Sequence, residues 1–479
     1  MPERKRDFSS RSRQIKILTT GIHRVFRGLK FLFNEEIGGK DHFRSGTKYN
    51  TRRDSMTTDN TVPVSKSLMV VGGGISGLTT AIEAAEVGYE VFLIEKEASL
   101  GGRVSQLKHY FPKLCPPTCG LEINYKRIKN NRKIKVFTMS EVQSVQGTAG
   151  DYTITLKTNP RYVNENCTAC GECETVCETK IVNDFNFGMN KRKAAYLPHN
   201  MAFPLQYVMD PAMSTDDRDK VKKACKFEAI DFDMEEKTID LKVGSIVWNT
   251  GWIPYDATKI DNLGFGRFQN IITNMMLERM ACSNGPTEGK ILRPSDDKTP
   301  QTIAFAQCAG SRDENHLPYC SYICCMASLK HATYLRAQYP DAKIYIYYID
   351  LRTPGRKYEN FYAKLKEDEN IFFVKGKVAE VSEEAGTGNI NLVAEDTITG
   401  EKLRQNVDML VLATGMQPTA AIDRPDADLQ FTDDGFIVND FSKGGMFAAG
   451  CANKPADVVT SNQNATGMAL KAIQTLVRR

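Results

Sequence analysis

The chain has 479 residues, too many for one ordinary core and far too many for a small disulfide-stapled scaffold. With 41% hydrophobic residues, 25% charged residues and 35 glycines it has the composition of a globular enzyme, neither fibrous nor low-complexity. Residues 1–55 carry 14 Lys and Arg against 6 Asp and Glu and the rest carries 49 against 52, so no basic stripe for nucleic acid is evident. No uninterrupted apolar run of about 18 residues offers a direct membrane span.

Residues 1–66 read as a basic N-terminal extension without a small-residue cleavage pattern. It is either a disordered surface tail or sequence upstream of a true start at Met56, which opens a polar lead-in to the first strand.

Residues 67–160 are expected to form the first part of an FAD-binding domain. SLMVVGGGISGLTTAIEAAEVGYEVFLIEKE predicts a strand over Leu68–Val71, a glycine turn Gly72-x-Gly74-x-x-Gly77, a helix to Val87 and a strand over Val91–Ile94. Gly72 permits the tight turn, Gly74 lets a pyrophosphate approach the backbone, and Gly77 lets the helix pack on the sheet. The free N–H groups of the helix N-terminus suit a phosphate. Glu95, at the end of the second strand, stands where an acid accepts hydrogen bonds from the adenosine ribose. The following LGGR, with Gly102 and Arg103, resembles the FAD rather than the NAD branch of such folds. Cys115 and Cys119, in CPPTC, are either a redox pair or packed loop thiols, and Pro112, Pro116 and Pro117 read as loop formers.

Residues 161–235 are expected to be an inserted ferredoxin-like module. Cys167-x2-Cys170-x2-Cys173-x3-Cys177 is the bacterial ferredoxin run, whose thiolates converge on a [4Fe-4S] cluster from one tight loop. Zinc ribbons use two separated CxxC pairs instead. In a two-cluster module the fourth cysteine serves the neighbouring cluster. Here the second motif, KKACKFEAIDFD, retains Cys225 alone. The preferred ligand set is therefore Cys167, Cys170, Cys173 and Cys225, with Cys177 left over; the competing set uses Cys177 locally.

Residues 236–258 read as the return strand of the FAD domain, and 259–404 as a second Rossmann-like domain. After its strand TIAFAQC a phosphate turn for NAD(P)H would be expected, yet the loop carries Cys308, Cys320, Cys324 and Cys325. A helix starting near Cys320 and Cys324 favours thiolates and an anionic cluster at its N-terminus. The competing reading is four buried, inert thiols. Residues 405–479 are expected to complete the FAD domain, with Gly415 in an ATG strand and Gly450 before the last helix. Cys451 stands where many related flavoproteins have Asp; it is either a flavin neighbour or a buried filler. His109, His199, His316 and His331 show no metal-ligand spacing.

The order of these motifs from about Ser67 onward resembles the heterodisulfide reductase A-subunit family, most of all its branch in quinone-interacting membrane-bound oxidoreductases. The resemblance implies an α/β fold: a two-dinucleotide-binding-domain flavoprotein with a degenerate second Rossmann-like domain and the ferredoxin-like insertion. It implies FAD and one or two [4Fe-4S] clusters, the second on Cys308, Cys320, Cys324 and Cys325. Lys330 would then lie beside the isoalloxazine ring as a catalytic cation, unless it is a solvated helix lysine. The implied function is a flavin-dependent oxidoreductase component that carries electrons between menaquinol and adenylylsulfate reductase and does not use NAD(P)H. Implied partners are a second flavin and iron–sulfur protein, a membrane protein handling quinone, adenylylsulfate reductase and a second copy of the chain. The implied location is cytoplasmic, held at the membrane through partner subunits. The alternatives are an electron-bifurcating component of a heterodisulfide reductase, an NAD(P)H-dependent disulfide reductase, and a non-catalytic assembly scaffold.

Overall fold

The computed structural model describes residues 65–111 and 113–477. The basic extension up to residue 64 and Pro112 lie outside them. Two parallel five-stranded sheets organise the described chain. The first runs in the order Met446–Ala448, Ser245–Trp248, Ser67–Val71, Glu90–Ile94, Ile134–Phe137. Its strands are apolar on both faces because both faces are covered. Leu68 and Val70 pack with Leu78, Ile82, Ala465 and Met468 of the helices Ile75–Glu86 and Val458–Val477. Met69, one residue out of phase, packs with Ile154 and Leu156 of an antiparallel sheet on the other side. Each fully buried Leu or Ile here contributes about 1.5–3 kcal/mol.

The second sheet runs Ile271–Thr273, Met409–Thr414, Thr302–Ala309, Lys343–Tyr348, Ile371–Lys375, again all parallel. The same alternation holds: Ile303 and Phe305 face one core, Ala304 and Ala306 the other. This topology corrects the expected boundary at residue 405. Met409–Thr414 hydrogen-bonds between two strands of the second sheet, so it belongs there. The chain returns to the first sheet only after Met416–Pro418 pairs with Trp252–Pro254 in a two-stranded link. A motif of apolar residues followed by ATG fits either parallel sheet, and only strand pairing decides between them.

Inserted in sequence between the antiparallel partners Asp151–Thr158 and Lys237–Val243, a small unit holds the hairpins Lys180–Val182 with Lys191–Lys193 and Ala195–Tyr196 with Val208–Met209. The short helix Glu172–Val176 and the helix Thr215–Ala224 complete it. It has its own core of Val163, Met209, Val221 and Ile230. Among the described residues no helix is long and apolar enough to cross a membrane.

Candidate functional site

At the first sheet, Gly72 turns the chain at φ +105°, and a Cβ there would meet the Asn249 carbonyl oxygen at 2.2 Å. A Cβ on Gly77 would fall 1.8 Å from the Gly72 carbonyl oxygen, so helix and turn touch backbone to backbone. Gly74 differs: the nearest protein atom to its Cβ position is 3.9 Å away, on Gly102. No packing neighbour demands glycine at position 74, and a ligand passing close to the backbone does. The helix behind it has no side-chain cap and no acid in its first turn, which leaves its N–H groups facing outward for an anion. The buried Asn249 Oδ1 and Thr250 Oγ1 beside this turn have no protein partner, as expected of groups that serve a ligand.

Glu95 is buried beneath the turn. Its carboxylate accepts from the Gly73 N–H at 2.7 Å and the Glu97 N–H at 2.8 Å. Burial nevertheless pushes its pKa up to about 7, against the pull of those backbone donors. Each carboxylate oxygen keeps a free lone pair for a ribose hydroxyl. Arg103 donates to the Trp252 carbonyl at 3.2 Å and to Gln106 Oε1 at 3.1 Å, tying the LGGR segment to the interdomain link. Gly450 presses on the start of the same helix, where a Cβ would lie 2.2 Å from Ser76 Oγ. Cys451 is fully enclosed; burial pushes its thiol up to about 11, and the thiol donates to the Ala456 carbonyl at 3.4 Å. Gly415 is not part of this group. It packs on the second cysteine loop, where a Cβ would meet Ser311 Oγ at 2.3 Å and Ser321 Oγ at 3.0 Å.

In the inserted unit, Cys167, Cys170, Cys173 and Cys225 line one small cavity, walled by Val163, Met209, Phe227 and Ile230. Left-handed Ala169 and Gly171 reverse the chain between the first three cysteines. The Ala229 N–H points at Cys225 Sγ at 3.4 Å, a contact that suits a thiolate ligand. Burial and the neighbouring Cys167 and Cys170 push the Cys173 thiol up to about 12. Cys177 does not line the cavity. It is buried in the small core and donates to Thr179 O and Asp217 Oδ2, both at 3.7 Å. Among the described residues no three His, Cys, Asp or Glu side chains stand close enough to chelate a single ion. Four cysteines around one apolar pocket are the ligand type an iron–sulfur cluster takes.

The second cysteine set forms where the strand Thr302–Ala309 gives way to the helix Cys324–Gln338. Cys324 and Cys325 open that helix, Cys308 stands at the end of the strand and Cys320 arrives from the loop between them. Cys324 feels the charges of the other three. Burial pushes Cys308 up to about 11, followed in effect by the neighbouring Cys325. Cys308, Arg312 and Tyr322 all adopt left-handed backbone at φ 57°, 54° and 67°. Such conformations cost about 1–3 kcal/mol each and cluster where geometry is functional. The Tyr322 N–H points at Cys320 Sγ at 3.4 Å.

Lys330, on the same helix, is 4% exposed, which removes the solvated reading. Its ammonium donates to the His109 carbonyl at 2.7 Å and to Glu278 at 3.1 Å. Glu278, itself 1% exposed, also accepts from the Lys108 N–H at 2.7 Å, His331 Nε2 at 2.5 Å and the Tyr334 hydroxyl at 3.2 Å. Burial alone would raise the Glu278 pKa, but Lys330 and His331 hold it well below the usual carboxylate range. Sequence reasoning missed Glu278 and Asp217, neither of which lies in a spaced motif. His331 is a core histidine, buried as a partner of Glu278.

Cys115 and Cys119 flank the first residues of the helix Pro117–Asn130, with Cys119 exposed, and both lie near Tyr110. They do not join either cysteine set.

Taken together, these sites define a dinucleotide-binding α/β protein with two sheet domains and two cysteine-lined centres. Residues 70–126 match the family model of the NAD(P)-binding Rossmann-like domain. The first iron–sulfur A-subunit of CoB–CoM heterodisulfide reductase from Methanopyrus kandleri is 36% identical over 453 residues, 90% of this chain and 67% of that protein. The corresponding iron–sulfur A-subunit from Methanocaldococcus jannaschii is 37% identical over 429 residues, 85% of this chain and 64% of that protein. The chain belongs to the heterodisulfide reductase A-subunit family. It spans 65% and 67% of the two Methanopyrus relatives' length. The thioredoxin reductase of T. acidophilum superposes with a TM-score of 0.47 at 14% identity, over 86% of this chain and 97% of that one, too loosely to argue from.

Proposed function

We propose that this chain is an electron-transfer subunit that binds FAD at the Gly72–Gly77 turn. We propose one [4Fe-4S] cluster on Cys167, Cys170, Cys173 and Cys225 and a second on Cys308, Cys320, Cys324 and Cys325. The flavin would convert between paired and single electrons and the clusters would carry the single ones. The chain's own part is positional. The glycine turn and helix N-terminus receive the pyrophosphate, Glu95 receives the ribose, and Lys330, fixed by Glu278, places a cation on the path between the two domains. Apolar residues wall the first cysteine set, with Cys173 buried and Cys170 left at the surface, where a partner could exchange electrons with the cluster.

The observation that carries this reading is the shared cavity of Cys167, Cys170, Cys173 and Cys225 with Cys177 turned away to Asp217. Iron and acid-labile sulfide per chain, measured on anaerobically reconstituted variants, test it. Cys225→Ala should lose about half of the bound iron, one cluster of two, and keep its flavin. Cys177→Ala should keep both clusters. Loss from Cys177→Ala with an intact Cys225→Ala overturns the ligand set.

The relatives named above favour a heterodisulfide-reductase-type complex for this chain. The menaquinol and adenylylsulfate reductase route, with cytoplasmic attachment to the membrane through partner subunits, rests on the motif resemblance alone. Proteins co-purifying with the native chain distinguish them: a quinone-handling membrane protein supports the second route, and a disulfide-reducing partner supports the first. An NAD(P)H-dependent reductase is disfavoured because the strand–helix junction of the second sheet carries Cys308 and Cys324 where a nucleotide phosphate would sit.

A further inference from the structure

The loop between Ala309 and Cys324 holds one buried cationic nitrogen without a hydrogen-bond partner in the protein. Arg312 is fixed in left-handed backbone at φ 54°, and its N–H donates to the Tyr319 carbonyl at 3.0 Å. Its Nη2 pairs with Asp350 Oδ2 at 2.9 Å. The unpartnered nitrogen is Nη1. The same guanidinium acts by charge on Cys308, Cys320 and Cys325. A buried guanidinium N–H left unpaired costs on the order of 1–3 kcal/mol, so a partner is expected where its thiol neighbours converge.

We infer that Arg312 sets the reduction potential of the cluster held by Cys308, Cys320, Cys324 and Cys325, by donating its free Nη1–H to that cluster's sulfur. The inference rests on the cluster assignment proposed above and assigns a role beyond it. One-electron reduction adds one negative charge to a group already made anionic by four thiolates. A fixed guanidinium stabilises the reduced state more than the oxidised one and raises the potential. Asp350 opposes this, but its side chain is 55% exposed against 24% for Arg312, so water screens the carboxylate more. Arg352 adds positive charge near Cys325. The Lys377–Asp313 pair, at 2.8 Å, is internally balanced. The net field at the sulfurs is therefore positive, with Arg312 supplying the hydrogen bond.

Potentiometric EPR titration of the full chain, reconstituted anaerobically with both cofactors, tests the inference. Arg312→Gln should move this cluster's midpoint to more negative potential by at least a tenfold change in the redox equilibrium, about 59 mV for one electron. Arg312→Lys should fall between that variant and the parent, because it keeps the charge and loses the planar donor. An unchanged midpoint in Arg312→Gln with the cluster retained overturns the inference. Should Arg312→Gln lose its iron, the parent chain labelled with 15N in arginine side chains decides. Pulsed EPR of the reduced cluster should show nitrogen coupling that Arg312→Lys abolishes, and no coupling in the parent overturns the inference. If the Cys308 set gives no cluster signal in the parent, the underlying assignment falls, an outcome distinct from a cluster whose potential ignores Arg312.

Discussion

At the scale of single residues, the glycine turn separates structural from ligand-driven requirements. Gly77 is demanded by the fold, since its Cβ would overlap the Gly72 carbonyl oxygen at 1.8 Å. Gly74 has no such neighbour. Gly77→Ala should therefore cost more than about 2 kcal/mol in denaturant unfolding of the flavin-free chain, because two backbones must part. Gly74→Ala should change that stability by less than about 0.5 kcal/mol and still lose flavin on gel filtration. Equal destabilisation by the two variants would remove the argument that position 74 answers to a ligand. Glu95 adds a pH signature. Its folded pKa of about 7 stands above the ordinary 4.5, so between those values the folded state holds a proton that the unfolded chain releases. The flavin-free chain should gain stability from Glu95 as pH falls from 8 to 5. Glu95→Gln should remove that gain while weakening flavin retention, measured by urea unfolding and by bound-flavin absorbance.

At the scale of elements, one buried carboxylate on the helix Thr215–Ala224 holds the Cys177 loop in place. Ser214 caps the helix by accepting from the Asp217 N–H at 3.2 Å, and Asp217 reaches across to the Cys177 loop. It accepts from the Glu178 N–H at 3.0 Å, and from the Thr179 N–H and hydroxyl, each at 2.6 Å. Those donors hold its carboxyl down at about 2 despite the cost of burial. Asp217→Ala removes the acceptor of these three donors and of the Cys177 thiol, and should destabilise this unit by roughly 2–4 kcal/mol, seen as faster proteolysis within residues 165–180 and faster iron release. Unchanged proteolysis would show that the loop holds its shape without Asp217. The ferredoxin run and the glycine turn were legible in the sequence because their chemistry is carried by spacing within a dozen residues. Asp217 was not, since its partners stand about 40 residues away. The strand Met409–Thr414 was misplaced for a related reason: strand register is a long-range property, and an apolar ATG strand satisfies either sheet.

At the scale of the whole molecule, two adjacent residues of the helix Asn274–Met280 fasten three parts of the chain together. Arg279 donates to Asn186 Oδ1 of the inserted unit at 2.8 Å and to the Gln106 carbonyl of the first domain at 3.2 Å. Glu278 binds the Lys108 and His109 N–H groups on one side and Lys330, His331 and Tyr334 on the other. A buried carboxylate therefore joins the first domain to the helix that begins with Cys324 and Cys325, and its removal strands the Lys330 ammonium. Glu278→Gln should cost about 3–5 kcal/mol, the usual penalty for breaking a buried pair from one side. The pH dependence follows from the directions of the shifts. The depressed Glu278 pKa makes its contribution full above the ordinary carboxylate range and lost as pH falls through the lower folded value. His331 is also held below its ordinary value, chiefly by burial. The unfolded chain therefore takes up a proton there first on acidification, and stability begins to fall below about pH 6.5. This acid loss opposes the gain from Glu95. Urea unfolding from pH 8 to pH 4 should show a smaller acid-side gain in the parent than Glu95 alone supplies, and Glu278→Gln should start from a lower stability at pH 8 and follow a different acid slope. A variant as stable as the parent at pH 8, with the same acid slope, would mean that the domains are held together by apolar contact alone and that Lys330 is positioned by something other than this carboxylate.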